Sequence, residues 1–253
     1  MAAYAARGQV LVLVAGVPAS RSKAHTGIVM NRRDVIHPEI LDETRRKLLD
    51  KLAALEPVRR FYLAGGTGLA LAAGHRRSLD FDFFRESPKG DLPGAGGLKR
   101  VLAGLEEGKI QREEEGTLHV EIGGIRMSFL AYAHRLLKKP YEWKGLAIAN
   151  PVDIGLMKLA AIIQRGSKRD FIDLDCVIRR YASLDALISL VSVKFPDVHD
   201  FAIQASRALV YFADADKQRD PDMLETGFSW NAVKMRIEDE TRKVFRKTLK
   251  GAA

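Results

Sequence analysis

The sequence LAGGTGLALAAGHRRSLDFDFF, residues 63–84, decides how this chain folds around its most informative side chains. A short apolar run over 61–64 predicts a strand, which leads into a Gly-Gly-Thr turn at 65–67. The Ala- and Leu-rich stretch 67–73 predicts a short helix, which a glycine then ends. Residues 79–84 alternate acidic and apolar side chains, as is typical of a strand with one buried face. The predicted order is therefore strand, glycine turn, helix, strand.

Asp80 and Asp82 are the candidate metal ligands of this stretch. Side chains two positions apart on a strand project to one face, so both carboxylates share a side while Phe81 and Phe83 anchor the other. Carboxylate oxygens, together with substrate phosphates, are the ligands that Mg²⁺ prefers. An exposed edge strand with acidic outer positions would show the same pattern, so this spacing alone does not establish a metal site.

Gly65, Gly66 and Thr67 are candidate nucleotide-binding residues. Glycines allow the backbone to approach a phosphate closely, and the N-terminus of the following helix presents free N–H groups and a positive dipole end. The Thr67 hydroxyl adds a further donor. An ordinary strand-to-helix turn also uses paired glycines. The glycine turn and the two carboxylates, separated by residues 68–79, together favour a nucleotide site.

The rest of the chain is predicted to form an α/β part over 30–149 and a helical part over 150–253. Amphipathic spacing and turn residues predict, in the first part, a helix over 38–55, a loop over 86–97, and a hairpin of 117–122 and 125–132 around Gly123-Gly124. Helical spacing in the second part predicts helices over 152–163, 167–181, 184–195, 198–214 and 230–249. Residues 1–29 are expected to be a disordered tail or a start placed too early, ahead of Met30.

Composition limits the partners and the compartment. The formal net charge is +9, which favours phosphate-bearing partners by raising the local concentration of anions. The longest apolar run, residues 10–17, is shorter than the roughly 18 residues that would span a bilayer, so no membrane partner is expected. The single cysteine, Cys176, excludes a disulfide framework and fits a reducing, cytoplasmic compartment.

Four blocks in this order, residues 63–71, 75–84, 153–161 and 165–174, resemble the AbiEii/AbiGii toxin family of nucleotidyltransferases, within the polymerase-beta-like nucleotidyltransferase superfamily. The resemblance implies an α+β fold in which a mixed sheet with helices is followed by an all-helical domain. It also implies that this helical domain contributes Lys158 and Asp173 to the site.

The resemblance implies a role for each matching residue. Gly65, Gly66 and Thr67 would seat the phosphates of an NTP, and Asp80 and Asp82 would hold Mg²⁺, with Mn²⁺ as an alternative. The remaining catalytic candidates all lie in the helical part: Lys158, which would contact the triphosphate, and Asp170 and Asp173, which would complete the acidic site. A snorkelling lysine is the alternative for Lys158. A capping box formed with Ser167 is the alternative for Asp170.

Two further features lie around the candidate metal strand. Arg76, Arg77 and Ser78 precede it and are candidate nucleotide-binding residues, although arginines here could equally be ordinary surface residues. Polymerase-like enzymes often carry a third carboxylate on a later strand, where this chain has Ser128. Glu121 or Asp173 is the available substitute; otherwise the site holds one metal or has weakened activity.

The expected activity is transfer of a nucleoside monophosphate from an NTP to an acceptor hydroxyl. As the resemblance implies, the acceptor would be RNA, with tRNA as a candidate, and the chain would be the toxin of a toxin–antitoxin or phage-defence pair with a separately encoded antitoxin. The alternatives are a protein or small-molecule acceptor, a nucleotide- or RNA-binding module with decayed catalysis, and a metal hydrolase built on Asp80 and Asp82.

Overall fold

The computed structural model describes residues 36–92 and 94–250, apart from the side chains of 247–250. The expectation about residues 1–29 falls outside this range. A short 3-10 helix at Pro38–Ile40 precedes the regular elements. The helices are α1 Glu43–Ala53, α2 Glu56–Arg59, α3 Gly65–Ala73, α4 Ala95–Ala103, α5 Pro151–Gln164, α6 Lys168–Arg180, α7 Leu184–Lys194, α8 Phe201–Ala208, α9 Ala213–Asp216 and α10 Trp230–Lys250. The strands are β1 Tyr62–Ala64, β2 Phe81–Glu86, β3 Gly108–Glu114, β4 Thr117–Ile122, β5 Ile125–Tyr132, β6 Tyr141–Trp143 and β7 Leu146–Ile148.

The seven strands form one mixed sheet in the order β3-β4-β5-β2-β1-β7-β6. The strand β2 lies near the middle, where it pairs antiparallel with β1 and parallel with β5. The hairpin of β4 and β5 turns at Gly123 and Gly124, which both have positive φ, as a two-residue hairpin turn requires. The predicted α+β class with a mixed sheet is confirmed.

The alternation of side chains along β2 separates two apolar cores. Phe81 and Phe83 are fully buried in the core on one side of the sheet, where Phe83 stacks on Phe129 with ring centroids 4.8 Å apart. Phe84 packs against the other core, which the side chains of α5 to α10 dominate. Asp82 alternates with Phe81 and Phe83, so it lies on the face turned toward the helical part of the chain.

Several predicted boundaries were wrong. The helix predicted over 38–55 is interrupted, because Asp42 caps α1 by accepting a hydrogen bond from the Arg45 N–H. The loop predicted over 86–97 ends at α4, which forms because Leu98 and Leu102, four residues apart, are both buried. The helix predicted over 198–214 is divided into α8 and α9. The strand predicted over 79–84 begins at Phe81, so Asp80 precedes it.

The helical part docks onto the sheet through α3. This helix contacts β1, β2, α5 and α6. Asn150 caps α5 by accepting from the Val152 N–H, and Pro151 occupies the first turn. Among the described helices, none combines the length and the apolar character needed to cross a membrane.

Candidate active site

The glycine turn brings backbone against the candidate metal strand. Strand β1 ends at Ala64 and α3 begins at Gly65, whose φ of +62° favours glycine. A Cβ at Gly65 would lie 2.7 Å from Oδ2 of Asp82, and one at Gly66 would lie 2.4 Å from Nη2 of Arg76. Both positions therefore exclude a side chain, because a carboxylate and a guanidinium occupy that space.

Asp82 is the more enclosed of the two candidate metal ligands. Burial raises the pKa of its carboxyl, against the charge of Lys158, and the nearby Asp80 adds to the rise. Asp80 is half-buried, and both of its oxygens accept hydrogen bonds from Arg126. Carboxylate oxygens suit Mg²⁺, and a cation would relieve the cost of burying Asp82. The donor set therefore fits a divalent ion held by Asp80 and Asp82.

Thr67 connects the glycine turn to the start of β2. Its hydroxyl is buried, lies 2.7 Å from Oγ of Ser78 and donates to the backbone carbonyl of Asp80. The hydroxyl therefore has its hydrogen-bond partners within the protein, where it fixes the backbone just before β2. Phosphate contact through the backbone N–H groups of Gly65 and Gly66 stays a prediction, and so does a direct contact from Thr67 or Ser78.

Asp173 lies at the centre of a buried ionic cluster. It accepts from Nζ of Lys158 at 2.7 Å, from Nε and Nη2 of Arg76 at 2.7 and 2.8 Å, and from Nε2 of His75 at 2.9 Å. Although burial alone would raise the pKa of Asp173, Lys158 and Arg76 hold it well below its usual value. A carboxylate held in this way is a poor general base near neutral pH.

Asp170 forms the second half of this cluster. It accepts from Lys158 Nζ at 2.9 Å, from Arg165 Nε at 2.8 Å and from the Ser167 hydroxyl at 2.6 Å. Ser167 makes no capping hydrogen bond with its side chain, so the capping-box alternative for Asp170 is wrong. The snorkelling alternative for Lys158 is also wrong, because this side chain is only 8% exposed and both its carboxylate partners are buried.

The two arginines before β2 differ in their surroundings. Arg76 is buried and binds Asp173 through two parallel N–H···O contacts, which leaves it beside Gly66. Arg77 is exposed and pairs with Asp222 at 3.1 Å. The alternative of an ordinary surface residue is therefore wrong for Arg76. Contact of either arginine with nucleotide or RNA stays a prediction.

The position opposite Asp82 on β5 carries a hydroxyl. In the parallel pairing of β2 with β5, Asp82 lies beside Ser128, whose Oγ is 3.1 Å from Nδ1 of His119. Glu121 lies opposite Arg126 on the β4–β5 hairpin. Among residues 36–92 and 94–250, no three His, Cys, Asp or Glu side chains form a group that could hold a metal ion.

Sequence reasoning missed two residues at this site. Arg165 binds Asp170, and its charge is near enough to lower the pKa of Asp82. Its place in the fourth matching block, at the end of α5, was the available signal. Arg126 binds Asp80 across β5 and β2, and no spacing within one segment indicates that pairing.

Comparisons with known proteins agree with this geometry. The family model described as "Nucleotidyl transferase AbiEii toxin, Type IV TA system" matches residues 47–250. The uncharacterized protein aq_aa25 of Aquifex aeolicus (strain VF5) is 38% identical over 183 residues, which cover 70% of this chain and 86% of that protein. The crystal structure of JHP933 from Helicobacter pylori superposes with a TM-score of 0.50 at 16% identity, covering 84% of this chain and 96% of that chain, and shows a shared fold.

The family match spans most of the chain and includes the glycine turn, strand β2 and the buried ionic cluster. The prediction from the four sequence blocks is confirmed, and the chain belongs to the AbiEii nucleotidyl transferase toxin family.

Proposed function

We propose that this nucleotidyltransferase uses Mg²⁺ to move a nucleoside monophosphate from an NTP to a hydroxyl of RNA, with tRNA as the first candidate. The observation that carries the proposal is the contact between the glycine turn and the metal strand, where Gly65 lies against Asp82. A phosphate seated on the N–H groups at the start of α3 would lie next to a cation held by Asp80 and Asp82.

Each part of the site has a separate task in this reaction. The metal would neutralise phosphate charge and orient the triphosphate. Gly65 and Gly66 would bind phosphate oxygens through the backbone, and Asp80 and Asp82 would hold the ion. The acceptor hydroxyl oxygen attacks the α-phosphorus and gives up its proton to water, the bond from the α-phosphorus to the oxygen that bridges it to the β-phosphorus breaks, and pyrophosphate leaves. Catalysis then depends mainly on positioning and on neutralising charge.

The buried ionic cluster of Lys158, Asp170 and Asp173 acts on the site through its charge. Lys158 is held between Asp170 and Asp173, and its charge lowers the pKa of Asp82. It thereby favours the ionised carboxylate that a metal needs. We propose that Lys158 keeps Asp82 charged, and that direct contact with the triphosphate requires it to release one carboxylate. Asp173 has its partners within the protein, so we assign it a positioning role.

The proposed acceptor and partner follow from charge and family. A net charge of +9 favours a polyanion such as RNA. The family takes part in type IV toxin–antitoxin systems, so a separately encoded antitoxin is the expected protein partner.

One experiment identifies the nucleotide and the acceptor together. Purified protein is incubated with each α-³²P-labelled NTP, Mg²⁺ and either total tRNA or total cell protein. The Asp80→Ala/Asp82→Ala variant is compared with Asp214→Ala/Asp239→Ala, which removes two exposed carboxylates from the helical part. We expect label on tRNA from wild type and the control, and none from the first variant. Label on protein alone would contradict the RNA acceptor.

A second candidate function has one observation in its favour. Ser128 occupies the position beside Asp82 on β5, and a hydroxyl is a weaker magnesium ligand than a carboxylate. The candidate is a protein that binds nucleotide without transferring it. Measurable NTP binding with no label on tRNA, on protein or in free products would select this function.

A further inference from the structure

Arg126 forms an ion pair with Asp80, which is one of the two proposed metal ligands. Nε of Arg126 lies 3.2 Å from Oδ1 of Asp80, and Nη2 lies 3.3 Å from Oδ2. The guanidinium therefore covers both oxygens that a cation would use. The pair is open to solvent, with 74% of the Arg126 side chain and 40% of the Asp80 side chain exposed, and its contacts are long for charged groups. A divalent ion can displace such a contact.

The register of the sheet places two side chains of β5 next to the two carboxylates. Arg126 and Ser128 are two residues apart on β5, so they share a face, and Ser128 lies beside Asp82. This strand therefore brings a hydroxyl and a positive charge to the two carboxylates. Together Asp80, Asp82 and Arg126 carry a net charge of about −1, counting each ionised group as one unit. Two divalent ions would place +4 against that −1, which is strongly unfavourable.

We infer that the free protein holds one divalent ion at Asp80 and Asp82, in competition with Arg126, which supplies the positive charge that a second ion would supply. The inference rests on the metal site of the proposed function. A triphosphate would bring further negative charge, so the ion is held more tightly when the nucleotide is bound. Displaced from Asp80, the guanidinium would then pair with phosphate oxygens, which match its planar donors.

The test measures Mn²⁺ binding to the full chain without nucleotide, by the loss of the free-ion signal in electron paramagnetic resonance. Wild type is compared with Arg126→Ala and with Arg112→Ala. Arg112 is the matched control, because it is an exposed arginine of the same sheet whose ion pair is with Glu114. Both substitutions remove one positive charge, so an effect of overall charge alone would be equal in the two.

We expect one Mn²⁺ per chain in all three proteins. We expect the dissociation constant to fall at least fivefold in Arg126→Ala and to change less than twofold in Arg112→Ala. Equal changes in the two variants, unchanged binding in Arg126→Ala, or two ions per wild-type chain would overturn the inference. Detectable Mn²⁺ binding by the Asp80→Ala/Asp82→Ala variant would also overturn it, because the ion would then lie elsewhere.

A second variant tests the number of ions. Ser128→Asp combined with Arg126→Ala restores a third carboxylate beside Asp82 and removes the competing cation. We expect this protein to bind two Mn²⁺ ions per chain; a single ion would show that these residues do not set the number. The binding assay needs no turnover. If Mn²⁺ binding tightens in Arg126→Ala while the wild-type protein transfers no label, the inference is supported and the proposed function is rejected. If the wild-type protein transfers label while Mn²⁺ binding is unchanged in Arg126→Ala, the proposed function stands and the inference is rejected.

Discussion

The Nζ atom of Lys158 lies 2.7 Å from Oδ2 of Asp173, with both side chains buried at the contact of α5 with α6. Asp173 also binds Arg76, which lies against Gly66, so one carboxylate connects the helical part to the glycine turn. Removing one partner of such a pair leaves the other charges buried without compensation.

We therefore predict that Asp173→Ala lowers the free energy of unfolding by about 3–5 kcal/mol. Lys158 and Arg76 lose a shared partner in an environment that excludes water. Urea titration followed by circular dichroism measures the change. Asp80→Ala is the comparison, because its exposed pair with Arg126 is worth about 1 kcal/mol or less. Equal losses in the two variants would contradict the role of the buried cluster.

Gly65 is predicted to be required for binding the ion and the nucleotide. Gly65→Ala adds a Cβ 2.7 Å from Oδ2 of Asp82 and also meets the backbone strain of positive φ, about 1–2 kcal/mol. The matched control is Gly90→Ala, at φ +73° with no atom near its Cβ, which meets the same strain without the contact. We expect Gly65→Ala to lose at least as much stability as Gly90→Ala, and at least tenfold weaker NTP binding only in Gly65→Ala. Isothermal titration with MgNTP decides this; equal affinities would refute it.

The Thr67 hydroxyl is predicted to fix the backbone before β2. Thr67→Val keeps the shape but leaves the Asp80 carbonyl without its donor and the Ser78 hydroxyl without its partner, at a cost of about 1–3 kcal/mol. Thr67→Ser keeps the hydroxyl and should lose less than half as much. Thermal unfolding of the two variants gives the comparison. Equal destabilisation would mean that the methyl group contributes as much as the hydroxyl, which would contradict the role assigned to the hydroxyl.

Stability is predicted to fall in acid because of the buried carboxylates. Lys158 and Arg165, acting against burial, hold the pKa of Asp170 below its usual range, and Lys158 and Arg76 do the same for Asp173. Since the unfolded chain protonates these groups near pH 4, their contribution is complete above about pH 5 and is lost as the pH falls toward the folded pKa values.

Urea unfolding at pH 7, 5, 4 and 3 measures this loss. Asp170→Asn should begin less stable than wild type and should lose less stability between pH 5 and 3, because one of the two titrating groups is gone. Parallel curves for the two proteins would show that Asp170 contributes nothing to the acid response.

Much of the site could be predicted from the sequence because its parts lie in short local patterns. The glycine turn, the hairpin at Gly123-Gly124 and the cap at Asn150 each follow from backbone requirements within a few residues. The pair of Arg126 with Asp80 depends on the register of β5 against β2, 46 positions apart, which no local pattern contains. The helix α4 was missed because burial of Leu98 and Leu102 outweighs the low helix propensity of Gly96 and Gly97.

The buried ionic cluster also could not be predicted from local sequence patterns. Spacing placed Asp170 and Asp173 on one helix, but it did not show that they hold Lys158 between them or that Arg76 and His75 reach Asp173 from another segment. These contacts arise from the packing of α3 against α5 and α6. Asp173 was therefore expected to be a metal ligand or base, whereas its hydrogen bonds in the structure are to basic groups of the protein.

The most direct test of the central claim follows the two ends of the triphosphate in parallel reactions with α-³²P- and γ-³²P-labelled NTP. Nucleotidyl transfer predicts that the α label joins the acceptor and the γ label appears in pyrophosphate, and that both signals are lost in Asp80→Ala/Asp82→Ala. Transfer of the γ label to the acceptor would indicate a phosphotransferase, and its release as inorganic phosphate would indicate a hydrolase. Either result would contradict the function proposed for this site.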